Sequence, residues 1–156
     1  MDATVVAGDL LEQDVDVIVN AWNRNIIPWW LLLPQGISGA IKRKAGVGPF
    51  REVARAGPIP LGKAVLTGAG RLPYRGIIHV AGINMLWRAS EQSVRDCVVS
   101  AMDIVNAKRF SSVGFPIIGA GSGGLGEERA LAVMTEAFRG LSSESRAVIV
   151  RYRRAG

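Results

Sequence analysis

The chain has 156 residues, 49% hydrophobic and 21% charged, which excludes a disordered protein and suits one domain burying about two thirds of its unfolded surface. A net charge of +6 favours anionic partners without naming one. The longest apolar run, Ile26 to Leu33, is broken by Pro28 and falls short of the ~20 residues of a membrane span. No leader pattern follows Met1, and the single Cys97 cannot form an internal disulfide, so a cytoplasmic protein without a membrane partner is expected.

Val5–Ala7 and Val15–Val19 read as buried strands, short and rich in β-branched residues. An irregular stretch from Asn20 to Gly36 carries Pro28, Pro34 and bulky residues at Trp29 to Leu32. Ser38 is placed to cap a helix through Ala40–Ala45 that Gly46 stops. A second short helix fits Phe50–Ala56, and Gly57-Pro58 ends it. Lys63–Thr67 and Gly76–Ala81 read as strands around a turn-prone run at 68–73. Ser90–Lys108 has helical spacing, with Val94, Cys97, Val98, Ala101, Met102 and Val105 on one face. Strand Val113–Ile118, the glycine run Gly119–Gly126, helix Glu127–Gly140 and strand Ala147–Tyr152 follow. Strands alternating with helices imply an α/β fold with a largely parallel sheet covered on both faces, in one domain over residues 1–156.

The run Gly119-Ala120-Gly121-Ser122-Gly123-Gly124-Leu125-Gly126 joins a strand to a helix. Glycines let a backbone approach a ligand and adopt positive φ, and a helix start prefers anions, so the run reads as an oxyanion cradle. It also satisfies G-x-G-x-x-G, but that dinucleotide fingerprint needs an acidic residue ending the next strand. Here the next strand ends in Arg151-Tyr152-Arg153, which removes a nicotinamide enzyme. Gly57 to Ala64 nearly matches a nucleotide-triphosphate loop, yet Ala64 lacks the magnesium-binding hydroxyl and two prolines remove N–H donors.

Three segments together resemble the macrodomain family, whose members bind ADP-ribose. Ala7-Gly8-Asp9-Leu10, followed by Val15-Asp16-Val17-Ile18-Val19-Asn20-Ala21-Trp22-Asn23, resembles the family's opening G-D-I and its D-x-I-V-N-A-A-N strand end. Gly36-Ile37-Ser38-Gly39-Ala40-Ile41 with Ala45-Gly46 resembles G-V-D-G-A-I…A-G. Phe115-Pro116-Ile117-Ile118-Gly119-Ala120-Gly121 with Gly124 resembles F-P-x-I-S-T-G. Gly62-Lys63-Ala64 with Thr67, and Ile77-Ile78-His79-Val80, add to the match, which spans nearly the whole chain.

The resemblance implies a three-layer α/β/α fold with a mixed, mostly parallel central sheet of about six strands. It implies that Asp9, beside Leu10, accepts from the adenine amino group, and that Asn23 bonds the distal ribose as donor and acceptor, with Asn20 shaping the loop. Gly36, Ile37, Ser38 and Gly39 would grip the diphosphate from one side. Gly119, Ala120, Gly121, Ser122, Gly123 and Gly124 would grip it from the other, with Tyr152 against the adenine. Asn23 and Ser38 are the candidate catalytic positions. Without the resemblance, Asp9 reads as a turn or cap residue, and Tyr152 as an ordinary strand-end tyrosine.

Ser38 departs from the family pattern, where an aspartate helps orient the attacking water; a serine is no general base. The bulky run Ile26–Pro34 replaces a glycine-rich stretch. His79 and Cys97 sit among apolar residues and read as core, and no cluster has ligand spacing, so neither metal nor cofactor is expected. Lys42, Arg43 and Lys44 with Arg51 and Arg55, and the group Arg151, Arg153 and Arg154, read as solvated surface. Nucleic acid is the less favoured partner, because Trp29 and Trp30 lie apart from both clusters. The expected function is removal of ester-linked ADP-ribose from acidic side chains of modified proteins by substrate-assisted attack of water at the distal C1″. The alternatives are a binding module without turnover, or hydrolysis of O-acetyl-ADP-ribose or ADP-ribose 1″-phosphate.

Overall fold

A computed structural model of the protein describes residues 1–25, 36–84, 86, 88–121 and 123–153. The run 26–34, Ser122 and Arg154, all named above, lie outside the described residues. Within them, β1 (Thr4–Gly8) leads through a 3₁₀ turn (Leu10–Glu12) to β2 (Val17–Trp22). Then come α1 (Gly36–Ala45), α2 (Gly48–Arg55), β3 (Ala64–Thr67) and β4 (Gly76–Ala81). α3 (Glu91–Lys108), β5 (Ser112–Pro116), α4 (Glu127–Arg139) and β6 (Arg146–Tyr152) follow.

The strands form one sheet in the order β1-β6-β5-β2-β4-β3, with every pair parallel except β3–β4. The expected mixed, mostly parallel six-stranded sheet is therefore present. Side chains alternate across it. Val17 and Val19 of β2 join Ile78 and Val80 under α3 and α4, against Val94, Cys97, Met134 and Phe138. Ile18 and Trp22 face the other way, with Ile77, under Ile41 of α1 and Phe50 and Val53 of α2. Cys97 belongs to the first of these layers; burial, with Asp96 adding, pushes its thiol up to about 12, and it packs as an inert apolar group.

Most boundaries fall within two residues of the pattern. β4 has the bounds read from sequence, and α3 starts from Ser90, which forms a reciprocal cap with Ser93. β2 runs further than expected, to Trp22, because parallel pairing with β4 continues as far as Trp22 opposite Ala81. The clearest correction is α1. It already begins at Gly36, so Ser38 lies in the first turn rather than capping it. The Ser38 hydroxyl bonds instead to Asn20 Oδ1 at 2.8 Å and the Ala21 carbonyl at 3.2 Å, both on β2. Among the described residues, no helix is long and apolar enough to cross a membrane.

Candidate functional site

Because β1, β6, β5, β2 and β4 are parallel, their carboxyl ends share one edge of the sheet, the edge where open α/β folds hold ligands. A cleft of about 1360 Å³ follows that edge, larger than the roughly 300–1,000 Å³ of a typical small-molecule site. Asp9 and Tyr152 line it at the β1/β6 end, Gly119 to Gly121 after β5, and Asn23 and Gly82 at the β2/β4 end. The start of α1, Gly36 to Gly39, lines it as well.

Its middle is a polar backbone surface. Inside the glycine loop the N–H groups of Ala120, Gly124 and Leu125 donate to Ile117, Gly121 and Gly119 carbonyls. Among the described residues, those of Gly119, Gly121 and Gly123 meet no acceptor. The glycines answer two separate demands. A Cβ on Gly123 would stand 2.7 Å from Ala89 Cβ, and Gly119 has φ +88° with Val94 and Ala89 pressed against it. Those two let the loop pack against the start of α3. A Cβ on Gly121 would meet nothing within 4 Å among the described residues.

The helix start free of acids is that of α1 rather than that of α4, where the sequence pointed. The first turn of α4 carries Glu127 and Glu128, paired with Arg151 at 3.1 and 2.8 Å. These carboxylates already complement its positive end. α1 has no acid in its first turn, and the first four N–H groups of a helix have no intrahelical acceptor. Its last turn carries Lys42, Arg43 and Lys44, which suit the negative end and also line the cleft.

At the β1/β6 end, the pairing of Gly8 with Tyr152 sets Asp9 beside the end of β6. Asp9 is the cap that the bare pattern suggested: its Oδ1 accepts from Leu11 N–H at 2.9 Å. Its carboxylate nevertheless lines the cleft, and Oδ2 has no partner among the described residues. Leu10 is buried and forms the floor, and Tyr152 is 64% exposed, an open apolar face.

At the β2/β4 end the side chains are more committed than the sequence suggested. Asn23 is buried, and its Oδ1 accepts from Asn25 N–H at 2.6 Å, which leaves Nδ2 as its uncommitted group among the described residues. Asn25, which sequence reasoning passed over, holds this corner. It adopts φ +61° and donates from Nδ2 to the Val53 and Gly57 carbonyls at 2.7 and 2.8 Å. An asparagine in a run without glycine, ahead of an irregular stretch, was the available signal. Asn20 does not reach the cleft, which corrects its place among the ligand contacts. It is fully buried, since its strand position faces α1 and α2, and it bonds Ser38 and His79.

His79 is the core histidine expected. It is fully buried, with Nδ1 3.0 Å from Asn20 Nδ2 and Nε2 2.9 Å from Thr67 Oγ1, and its ring meets Phe50 edge-on. Burial lowers its pKa to about 3, so it stays neutral. Among the described residues, no group of three or more His, Cys, Asp or Glu is placed to hold a metal ion.

The Macro domain family model matches residues 19–134. A Macro domain-containing protein of Listeria monocytogenes is 37% identical over 152 residues, covering 92% of this chain and 82% of its own. The O-acetyl-ADP-ribose deacetylase of Escherichia coli K12 is 36% identical over 125 residues, 75% of this chain and 67% of its own. A mutant Oceanobacillus iheyensis macrodomain with ADPR superposes with a TM-score of 0.81 at 27% identity, covering 94% of this chain and 82% of that one. The family match, spanning most of β2 through α4, agrees with the sheet order, the glycine loop and the cleft, and the chain belongs to the Macro domain family.

Proposed function

We propose that the cleft binds ADP-ribose and that the protein is a hydrolase releasing it from ester linkages on acidic side chains. The observation that carries this reading is that two stretches of backbone with uncommitted N–H groups line the same cleft. The start of α1 and the N–H groups of Gly119, Gly121 and Gly123 together suit a diphosphate. Charge-assisted bonds of this kind, in a partly dry site, supply much of a nucleotide's affinity. On either side of a diphosphate, the adenosine fits toward Asp9 and Tyr152 and the distal ribose toward Asn23.

Among the described residues no general base lines the distal end, where Ser38 stands in place of an aspartate. The proposed reaction therefore relies on the substrate. A diphosphate oxygen holds a water, the water forms a bond to C1″, the C1″–O bond to the carboxylate breaks, and a carboxylic acid and ADP-ribose leave. Orientation alone contributes much of the rate when the leaving group is this good. Hydrolysis of O-acetyl-ADP-ribose is the second reading, favoured by the Escherichia coli relative that carries that name.

Calorimetry with ADP-ribose, AMP and NAD tests the binding, and turnover of an ADP-ribosylated glutamate peptide and of O-acetyl-ADP-ribose tests the chemistry. ADP-ribose binding stronger than AMP, with release from either substrate, is the expected result. Binding with no release from either over long incubation leaves a recognition module, and a Ser38→Asp variant that gains activity would then identify the missing group.

A further inference from the structure

Ser38, Asn20, His79, Thr67 and Gly68 form one hydrogen-bonded line from the cleft wall across β2, β4 and the end of β3. Its direction is fixed at the far end. Thr67 Oγ1 lies 2.9 Å from the Gly68 carbonyl, which can only accept, so the threonine proton points there. Thr67 Oγ1 must then accept from His79 Nε2–H. A neutral imidazole carries one N–H, so His79 Nδ1 is bare and accepts from Asn20 Nδ2. The carboxamide of Asn20 is thereby oriented with Oδ1 toward Ser38, whose single hydroxyl proton lies between Asn20 Oδ1 and the Ala21 carbonyl.

We infer that this buried relay makes Ser38 an acceptor-only oxygen at the cleft wall, paired with the donor Nδ2 of Asn23 to hold a hydroxyl of the distal sugar or the water beside it. The inference rests on the ADP-ribose reading of the cleft. Both residues belong to the β2 end: Ser38 bonds to Asn20 and Ala21 of β2, and Asn23 directly follows that strand. A hydroxyl or water both gives and takes hydrogen bonds, and one donor facing one acceptor holds it in a single orientation. The serine thus keeps the accepting function of the aspartate it replaces without its charge. His79 and Asn20 are positioning residues, acting only through Ser38.

Two measurements on the full chain test this. The ¹⁵N spectrum of the only histidine reads its tautomer directly, and the expected form is Nε2–H with bare Nδ1, unchanged from pH 5 to 8. An Nδ1–H tautomer reverses the relay and overturns the inference, whether or not any ligand binds. Calorimetry then compares ADP-ribose with ADP, which lacks the distal sugar. Ser38→Ala should weaken ADP-ribose about three- to tenfold, leave ADP within twofold, and be rescued by Ser38→Thr. Equal loss on both ligands, or none, overturns the acceptor role. If the unaltered protein binds neither ligand, the proposed function fails and the Ser38 contact with it, while the tautomer still decides the direction of the relay.

Discussion

His79 is the chain's only histidine, so its contribution to acid stability can be isolated. Its folded pKa of about 3 lies below the 6.5 of an ordinary imidazole, and the unfolded chain takes up a proton that the native state refuses. The resulting stabilisation is full above pH 6.5 and is lost as pH falls toward 3. Between pH 6.5 and 5 the loss amounts to about 1.5 kcal/mol. Denaturant titrations should show that decline in the native protein and a flatter profile in His79→Gln; equal slopes would mean the imidazole is already solvated. Asp9 offers a second test at this scale. Removing its carboxylate in Asp9→Ala should weaken ADP-ribose about tenfold or more, the range for a hydrogen bond to a charged group. It should also cost about 1 kcal/mol of stability through the lost cap. Calorimetry and thermal melts separate the two. Only the cap was readable without the family resemblance, because the pairing that brings β6 beside Asp9 joins residues far apart in the chain.

At the scale of elements, the glycine loop separates packing from access. Gly123→Ala places a methyl 2.7 Å from Ala89 Cβ and should lower the melting temperature while weakening ligand. Gly121→Ala meets no neighbour within 4 Å and should melt as the native protein does, yet still lose affinity where the ligand approaches the backbone. Loss of stability in Gly121→Ala would contradict this division. The loop was legible because glycine density between an apolar strand and a periodic helix is unusual, but its division of labour was not. α1 was legible only in part. Gly36, Ser38 and Gly39 are poor helix residues, and local preference placed the start later. The contact of Ser38 with β2, which draws these residues into the first turn, is invisible in local pattern. The return of β6 puts Arg151 beside Glu127 and Glu128, the acids that open α4, whereas the start of α1 carries no acid.

For the molecule as a whole, charge is unevenly placed. Residues 36–75 hold eight lysines and arginines against one glutamate, and the rest hold eleven against twelve acids, so the whole excess lies in the segment bearing α1 and α2. Lys42, Arg43 and Lys44 carry part of it to the cleft. The field should draw an anionic ligand inward, so ADP-ribose association should slow several-fold between low salt and about 0.5 M, where screening shortens to a few ångströms. Stopped-flow rates check this, and Arg43→Glu with Lys44→Glu should remove most of the salt dependence.

The sequence by itself determined the layers, the strand and helix alternation, the glycine loop between β5 and α4 and the burial of His79 and Cys97, because each follows from local pattern or backbone chemistry. The tertiary structure alone decided which helix start faces the loop, which asparagine reaches the cleft, and that the Ser38 proton points into the wall. Those outcomes depend on the directions of hydrogen bonds between strands distant in sequence, and a linear pattern carries no record of direction.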